Sequence, residues 1–129
     1  MSLQLHSSLA ASLDNGAHRV DLRGRALSVA CSGSGRTTVI LETGLGAESA
    51  EWQAVQASLD PLARVVRYDR AGRGDSDPAP QPRTASDLVD DLQALLKVAD
   101  LPGPYLLVGH SFGGLLMRLL ARRLGDAAK

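Results

Sequence analysis

A chain of 129 residues in which 14 Lys or Arg balance 14 Asp or Glu has the length of one ordinary domain and no net charge. Without a clustered basic run it lacks the electrostatic footprint for nucleic acid or an anionic membrane, because phosphate binding needs grouped Lys and Arg. A hydrophobic share of 44 % suffices for a packed core and argues against disorder. Only Trp52, Tyr68, Tyr105 and Phe112 are aromatic, which leaves that core mostly to Leu, Val and Ala.

A single cysteine, Cys31, excludes an internal disulfide and a thiolate-rich zinc site, and it fits a reducing compartment. Residues 1–20 have neither a basic start nor a continuous apolar block, so no secretory signal or membrane span is expected and the cytoplasm is the expected location. Within residues 1–17, Leu5, Leu9 and Leu13 recur every four positions, which suits either a short surface helix or a frayed tail.

From residue 18 the pattern alternates between strand-like and helix-like stretches, the mark of an α/β fold. Residues 19–22 and 26–30 read as a hairpin with Gly24 in its turn. Residues 37–41, TTVIL, are β-branched without alternation, as in a strand buried on both faces. After the glycine-bearing loop TGLGAES, residues 51–59 place Trp52, Val55 and Leu59 at helical spacing, and Pro61 ends that helix. Residues 64–68, RVVRY, form the next strand, and a loop rich in Gly, Asp and Pro follows. Thr84 and Asp87 have capping-box spacing and open a helix with Leu88, Leu92, Leu95, Leu96 and Ala99 on one face. Tyr105, Leu106, Leu107 and Val108 read as a further buried strand. The helix over 115–124 then has a Leu116, Leu120, Leu124 stripe, Arg122 and Arg123 complementing its dipole, and Gly125 as its stop.

The apolar YLLV run, then Gly109-His110-Ser111-Phe112-Gly113-Gly114, then a leucine-rich helix, places a GxSxG string in a strand–turn–helix context. A nucleophilic serine needs a strained turn that lifts its hydroxyl clear of the sheet, and glycines at 109 and 113 remove side chains that would collide there. Backbone N–H groups opening the helix can stabilise an oxyanion, helped by the helix dipole. The plainer reading is a strand-to-helix turn that happens to hold a serine. A phosphate cradle is disfavoured, since a dinucleotide fingerprint needs glycine at 111 and no GK[ST] occurs.

Taken together the motifs resemble the α/β-hydrolase family. VILETGLG (39–46) is similar to the family's oxyanion loop after the third strand, with Thr43 where many members carry His. VVRYDRAGRGDSD (65–77) is similar to the segment after the fourth strand, with Asp69, Gly72, Gly74 and Ser76 in a DxxGxGxS pattern; TASDLVDDLQALL before the elbow also fits. The resemblance implies Ser111 as nucleophile, the N–H groups of Phe112 and Leu45 as oxyanion donors, and Gly109, His110 and Gly113 as elbow support. It implies that Asp69 shapes its loop instead of acting in catalysis, and leaves Trp52 between a pocket-mouth and a core role. A serine at this position implies ester, thioester, lactone or amide substrates, with no metal and no organic cofactor.

The family's triad runs Ser, then Asp or Glu, then His. After Ser111 this sequence has one acid, Asp126, and no histidine; His6, His18 and His110 all precede it. The expectation is therefore an N-terminal part of an α/β-hydrolase sheet, about five strands mostly parallel after an initial hairpin, with three main helices. Residues 18–129 form an incomplete domain that ends before the sixth strand, in a family needing roughly 250 residues or more. Three readings follow: a fragment of a serine hydrolase, inactive alone; a two-chain or self-associating assembly joined through the uncovered strand Tyr105, Leu106, Leu107 and Val108; or a non-catalytic remnant or binding protein.

Overall fold

Residues 17–128, the part described in the computed structural model, contain five strands and three α-helices in the expected alternating order. The leucines at 5, 9 and 13, with His6, lie outside the described residues. The elements are β1 (Ala17–Asp21), β2 (Ala26–Ser32), β3 (Thr38–Glu42), α1 (Gln53–Leu59), β4 (Arg64–Tyr68), α2 (Ala85–Val98), β5 (Tyr105–Gly109) and α3 (Phe112–Leu124). The strands form one sheet in the order β1-β2-β4-β3-β5. The first two contacts, β1 with β2 and β2 with β4, are antiparallel; β4 with β3 and β3 with β5 are parallel.

The β1–β2 hairpin turns through Arg23 and Gly24, both at positive φ (59° and 102°), the backbone of a type I′ turn whose twist matches the flanking strands. Asp21 Oδ1 accepts the Gly24 N–H at 3.0 Å and fixes the turn.

β3 is buried at all five positions, as its unalternating run implies. Ile40 joins a core on one face with Leu27, Val29, Val66, Tyr68, the apolar side of α2, and Leu116, Met117 and Leu120 of α3. Val39 and Leu41 join Val65 and Ala63 on the other face, where Trp52 and Leu59 pack. Two helices thus cover one side of the sheet and α1 the other.

The helix expected over 51–59 differs in detail. Ser49–Trp52 forms a 3-10 turn and α1 starts at Gln53. Its inward residue is Gln56, whereas Val55 is exposed. Gln56 donates to the carbonyls of Val65 (3.1 Å) and Ala30 (3.3 Å) and accepts from Arg67 Nε at 2.6 Å. Those backbone and guanidinium groups would otherwise be buried with too few partners, so a polar anchor replaces an apolar one.

α2 opens with the expected capping box: Thr84 Oγ1 accepts the Asp87 N–H at 3.1 Å and Asp87 Oδ2 accepts the Thr84 N–H at 2.9 Å. The bond from the Thr84 backbone, followed by the Thr84 side chain, holds the Asp87 carboxyl below its ordinary value. The folded chain therefore binds this proton less readily than the unfolded chain, so the contribution is complete above the ordinary carboxylate range of about 4 and is lost as pH falls through the folded value. Asp87→Asn is expected to unfold at lower urea than the parent at pH 7, with the gap narrowing as the pH is taken below about 4. A gap that does not narrow would show that the charge contributes nothing.

The last strand, apolar like a buried one, is the uncovered edge that the sequence implies. Among the described residues β5 pairs along its length with β3 alone, Leu106 is 42 % exposed, and on the outer side only Ala128 is laid parallel to it, opposite Tyr105. α3 begins at Phe112, three residues earlier than its apolar pattern indicates, and closes at Gly125 with φ 60°.

Candidate active site

Ser111 stands between β5 and α3 with φ 56° and ψ −120°, a conformation costly for any residue with a Cβ. A serine that merely caps a helix takes extended φ and ψ and accepts an N–H from the first turn. Ser111 does neither: its side chain makes no capping bond and the residue is exposed.

The turn closes only with glycine on both sides. A Cβ on Gly109 would lie 2.5 Å from the Gly114 nitrogen and 2.6 Å from the Gly113 carbonyl. On Gly113 it would lie 2.4 Å from the Glu42 carbonyl oxygen and 2.5 Å from that of Thr43. Here α3 rests directly on the end of β3, where Glu42 is in register with Gly109 and its carbonyl accepts the His110 N–H at 3.1 Å.

That contact brings the loop after β3 to the elbow. A Cβ built on Gly44 would be 3.7 Å from Ser111 Cβ and 3.3 Å from His110 Nδ1, so bare backbone faces Ser111. Leu45 follows with its side chain 77 % exposed, and Phe112 is the first residue of α3, where helical N–H groups have no acceptor within the helix.

His110 is exposed and lines, with Glu51, Trp52 and Val55, an apolar hollow of about 260 Å³ beside the elbow. Trp52 packs on the Val39 and Leu41 face and also borders this hollow. His18, the other histidine among the described residues, is on β1 at the opposite edge of the sheet. Among the described residues no cluster of three or more His, Cys, Asp or Glu is placed to hold a metal.

Asp69 is bound into its loop. It accepts the N–H groups of Ser49 (2.8 Å) and Asp75 (3.1 Å), and Gly74 leaves room for its carboxylate, from which a Cβ would be 2.2 Å. Ser76 Oγ donates to the Asp69 carbonyl (2.6 Å) and accepts the Ser28 N–H (2.8 Å). The DxxGxGxS residues thus staple the loop after β4 to the hairpin and to the 3-10 turn.

The motif reading passed over three buried residues under the site. Glu42 is fully buried and accepts from Tyr68 Oη and from Arg70 Nη1, each at 2.5 Å. Arg70 also donates to the carbonyls of Thr43 (2.7 Å) and Gly44 (2.6 Å) and to Thr43 Oγ1 (3.1 Å). Burial pushes the Glu42 carboxyl above its ordinary value against the opposing pull of Tyr68 and Arg70. Burial, with Glu42 alongside, pushes the Tyr68 phenol well up. The available signal was a charged residue, Glu42, ending a strand buried on both faces, since burying a charge demands a partner.

A mixed sheet with helices on both faces, and a strained serine between a parallel strand and a helix, are the features of an α/β hydrolase. Residues 29–128 match the alpha/beta hydrolase family, and the chain belongs to it. It is 40 % identical over 89 residues to the uncharacterized protein YqjL of Bacillus subtilis, a match covering 69 % of this chain and 35 % of that one. Among solved structures it is similar to a hydrolase from Pseudomonas aeruginosa (TM-score 0.76, 25 % identity, 89 % of this chain and 44 % of that one). It is also similar to a thermophilic esterase from Thermogutta terrifontis (TM-score 0.75, 26 % identity, 87 % and 42 %). The chain therefore spans about a third of the curated relative and less than half of either structure.

Proposed function

We propose that this chain carries the nucleophile half of a serine hydrolase acting on ester, thioester, lactone or amide bonds, with Ser111 as the attacking group. The observation that carries the reading is the Ser111 backbone at φ 56°, exposed and without a capping bond, because a serine with no task there would relax into an ordinary N-cap. In this reading Ser111 Oγ adds to an acyl carbonyl, and the N–H groups of Leu45 and Phe112 hold the resulting oxyanion. The intermediate collapses to an acyl-enzyme that water then hydrolyses, a sequence that needs neither metal nor organic cofactor. In this reading a histidine oriented by an acid activates the hydroxyl, and no histidine follows Ser111 in these 129 residues. The single cysteine supports a cytoplasmic location, and no described helix is long and apolar enough to cross a membrane.

The test is fluorophosphonate labelling of the product translated through the downstream reading frame. Labelling at Ser111 that disappears in Ser111→Ala is the expected result. Unchanged labelling in Ser111→Ala would overturn the assignment, and an unreactive Ser111 in the extended product would favour the non-catalytic remnant.

The assembly reading has its own support in the open side of β5. Leu106 is exposed there, and Leu107, Gly109, Gly114 and Met117 line a shallow apolar hollow between β5 and α3. If the 129-residue chain uses this edge to join another copy, sedimentation will show concentration-dependent association that Leu106→Lys abolishes. A monomer at all concentrations would end that reading.

A further inference from the structure

Arg70 is buried between the two segments that carry the proposed oxyanion donors. Nη1 and Nη2 grip the Thr43 and Gly44 carbonyls, which immediately precede Leu45. The same guanidinium lies 5.5 Å from the centre of the Phe112 ring, within cation–π range. Its own position is set by Glu42, which is held from the other side by the Tyr68 hydroxyl. We infer that Arg70, locked by Glu42 and Tyr68, is a positioning residue that holds the Leu45 and Phe112 N–H groups at a fixed separation for one oxyanion. This rests on the reading of Ser111 as a nucleophile.

Folding alone gives little reason for the arrangement. A buried ion pair is commonly replaceable by apolar groups of similar volume with no loss of stability, so its stabilising value is slight. What an apolar pair cannot do is grip two successive carbonyls and an aromatic face at once, which the planar fork of arginine does and the single ammonium of lysine does not. Thr43 adds its hydroxyl as a further acceptor for Arg70, at the position where many family members carry His. Donors aimed at an oxyanion tolerate only small displacements, so a brace on the loop acts on rate more than on binding.

The decisive variant is the double substitution Glu42→Gln with Arg70→Met, which removes both buried charges together. It is to be compared with the parent by fluorophosphonate inactivation kinetics, urea unfolding and amide exchange at Leu45 and Phe112, in the extended product used for labelling. The expected result is a urea midpoint lowered less than in Arg70→Met alone, since the Thr43 and Gly44 carbonyls lose a donor but no charge is stranded, an inactivation rate constant lower by about tenfold or more with the probe's KI within twofold, and faster exchange at both amides. A rate constant and both amides within twofold of the parent would overturn the inference. If the double variant does not fold, Arg70→Lys is read by the same criteria, since it keeps the charge facing Glu42 but not the fork. Should Ser111 prove unreactive even in the parent, the hydrolase reading fails by itself, and amide exchange alone decides whether Arg70 positions the two segments.

Discussion

Arg70→Met alone is expected to destabilise the chain by about 3–5 kcal/mol at pH 7, because it strands the Glu42 carboxylate in a site with no exposure. Against a total stability of roughly 5–15 kcal/mol, that is a large share of the whole. The sign of its pH dependence follows from Glu42. Burial already raises this carboxyl in the folded chain, so the folded state binds the proton more readily than the unfolded state and loses stability as pH rises through the folded value. Arg70 and Tyr68 oppose that rise; without Arg70 the folded value moves higher and the loss at pH 7 grows. The Arg70→Met deficit is therefore expected to shrink between pH 7 and pH 5, as Glu42 takes up its proton. Urea unfolding at the two pH values measures it. A deficit that is constant or larger at pH 5 would mean that the Glu42 charge is not what Arg70 offsets.

Gly113→Ala carries the second large effect. One methyl group would stand 2.4 Å and 2.5 Å from two carbonyl oxygens of the chain end that β3 presents to α3. Neither oxygen belongs to a mobile side chain, so the helix itself must move away from the sheet. Overpacking of this kind costs about 3 kcal/mol, and the displaced helix carries the Phe112 N–H and the Ser111 turn with it. The measurement pairs the urea midpoint with fluorophosphonate labelling in the extended product, and both are expected to fall. Gly114→Ala is the control, because a Cβ there meets nothing closer than 3.8 Å. Similar losses in the two variants would show that generic helix perturbation, and not the contact with β3, is responsible.

Most of the elements were legible from local rules. The Thr84 and Asp87 box acts between neighbours three residues apart, and Gly109 makes room for Gly113 and Gly114, so spacing alone discloses them; the unalternating TTVIL run discloses its own burial through composition. The misjudged face of α1 is a place where a distant partner sets the environment. Val55 has the helical spacing of a core residue, yet Gln56 turns inward because β2 and β4 present carbonyls and Arg67 needs an acceptor. β5 has the apolar composition of a central strand and stands at the edge of the sheet, as the sequence implies; among the described residues Ala128 alone lies on its outer side. Composition reports what a strand is suited to pair with, and not which neighbours the chain supplies.

The candidate site divides along the same line. The sequence by itself determined the strand–turn–helix around Ser111, its glycines and the Asp69 to Ser76 loop, because strained turns impose residue types directly on the positions that form them. Only the tertiary structure placed Glu42, Tyr68 and Arg70 beneath that turn. Glu42 lies 26 residues from Tyr68 and 28 from Arg70 along the chain, and the register of β3 against β4 is what brings them into hydrogen-bond reach. A buried charge is tolerable only once such a partner is in place, and pairing across parallel strands leaves no periodicity from which that partner could be read.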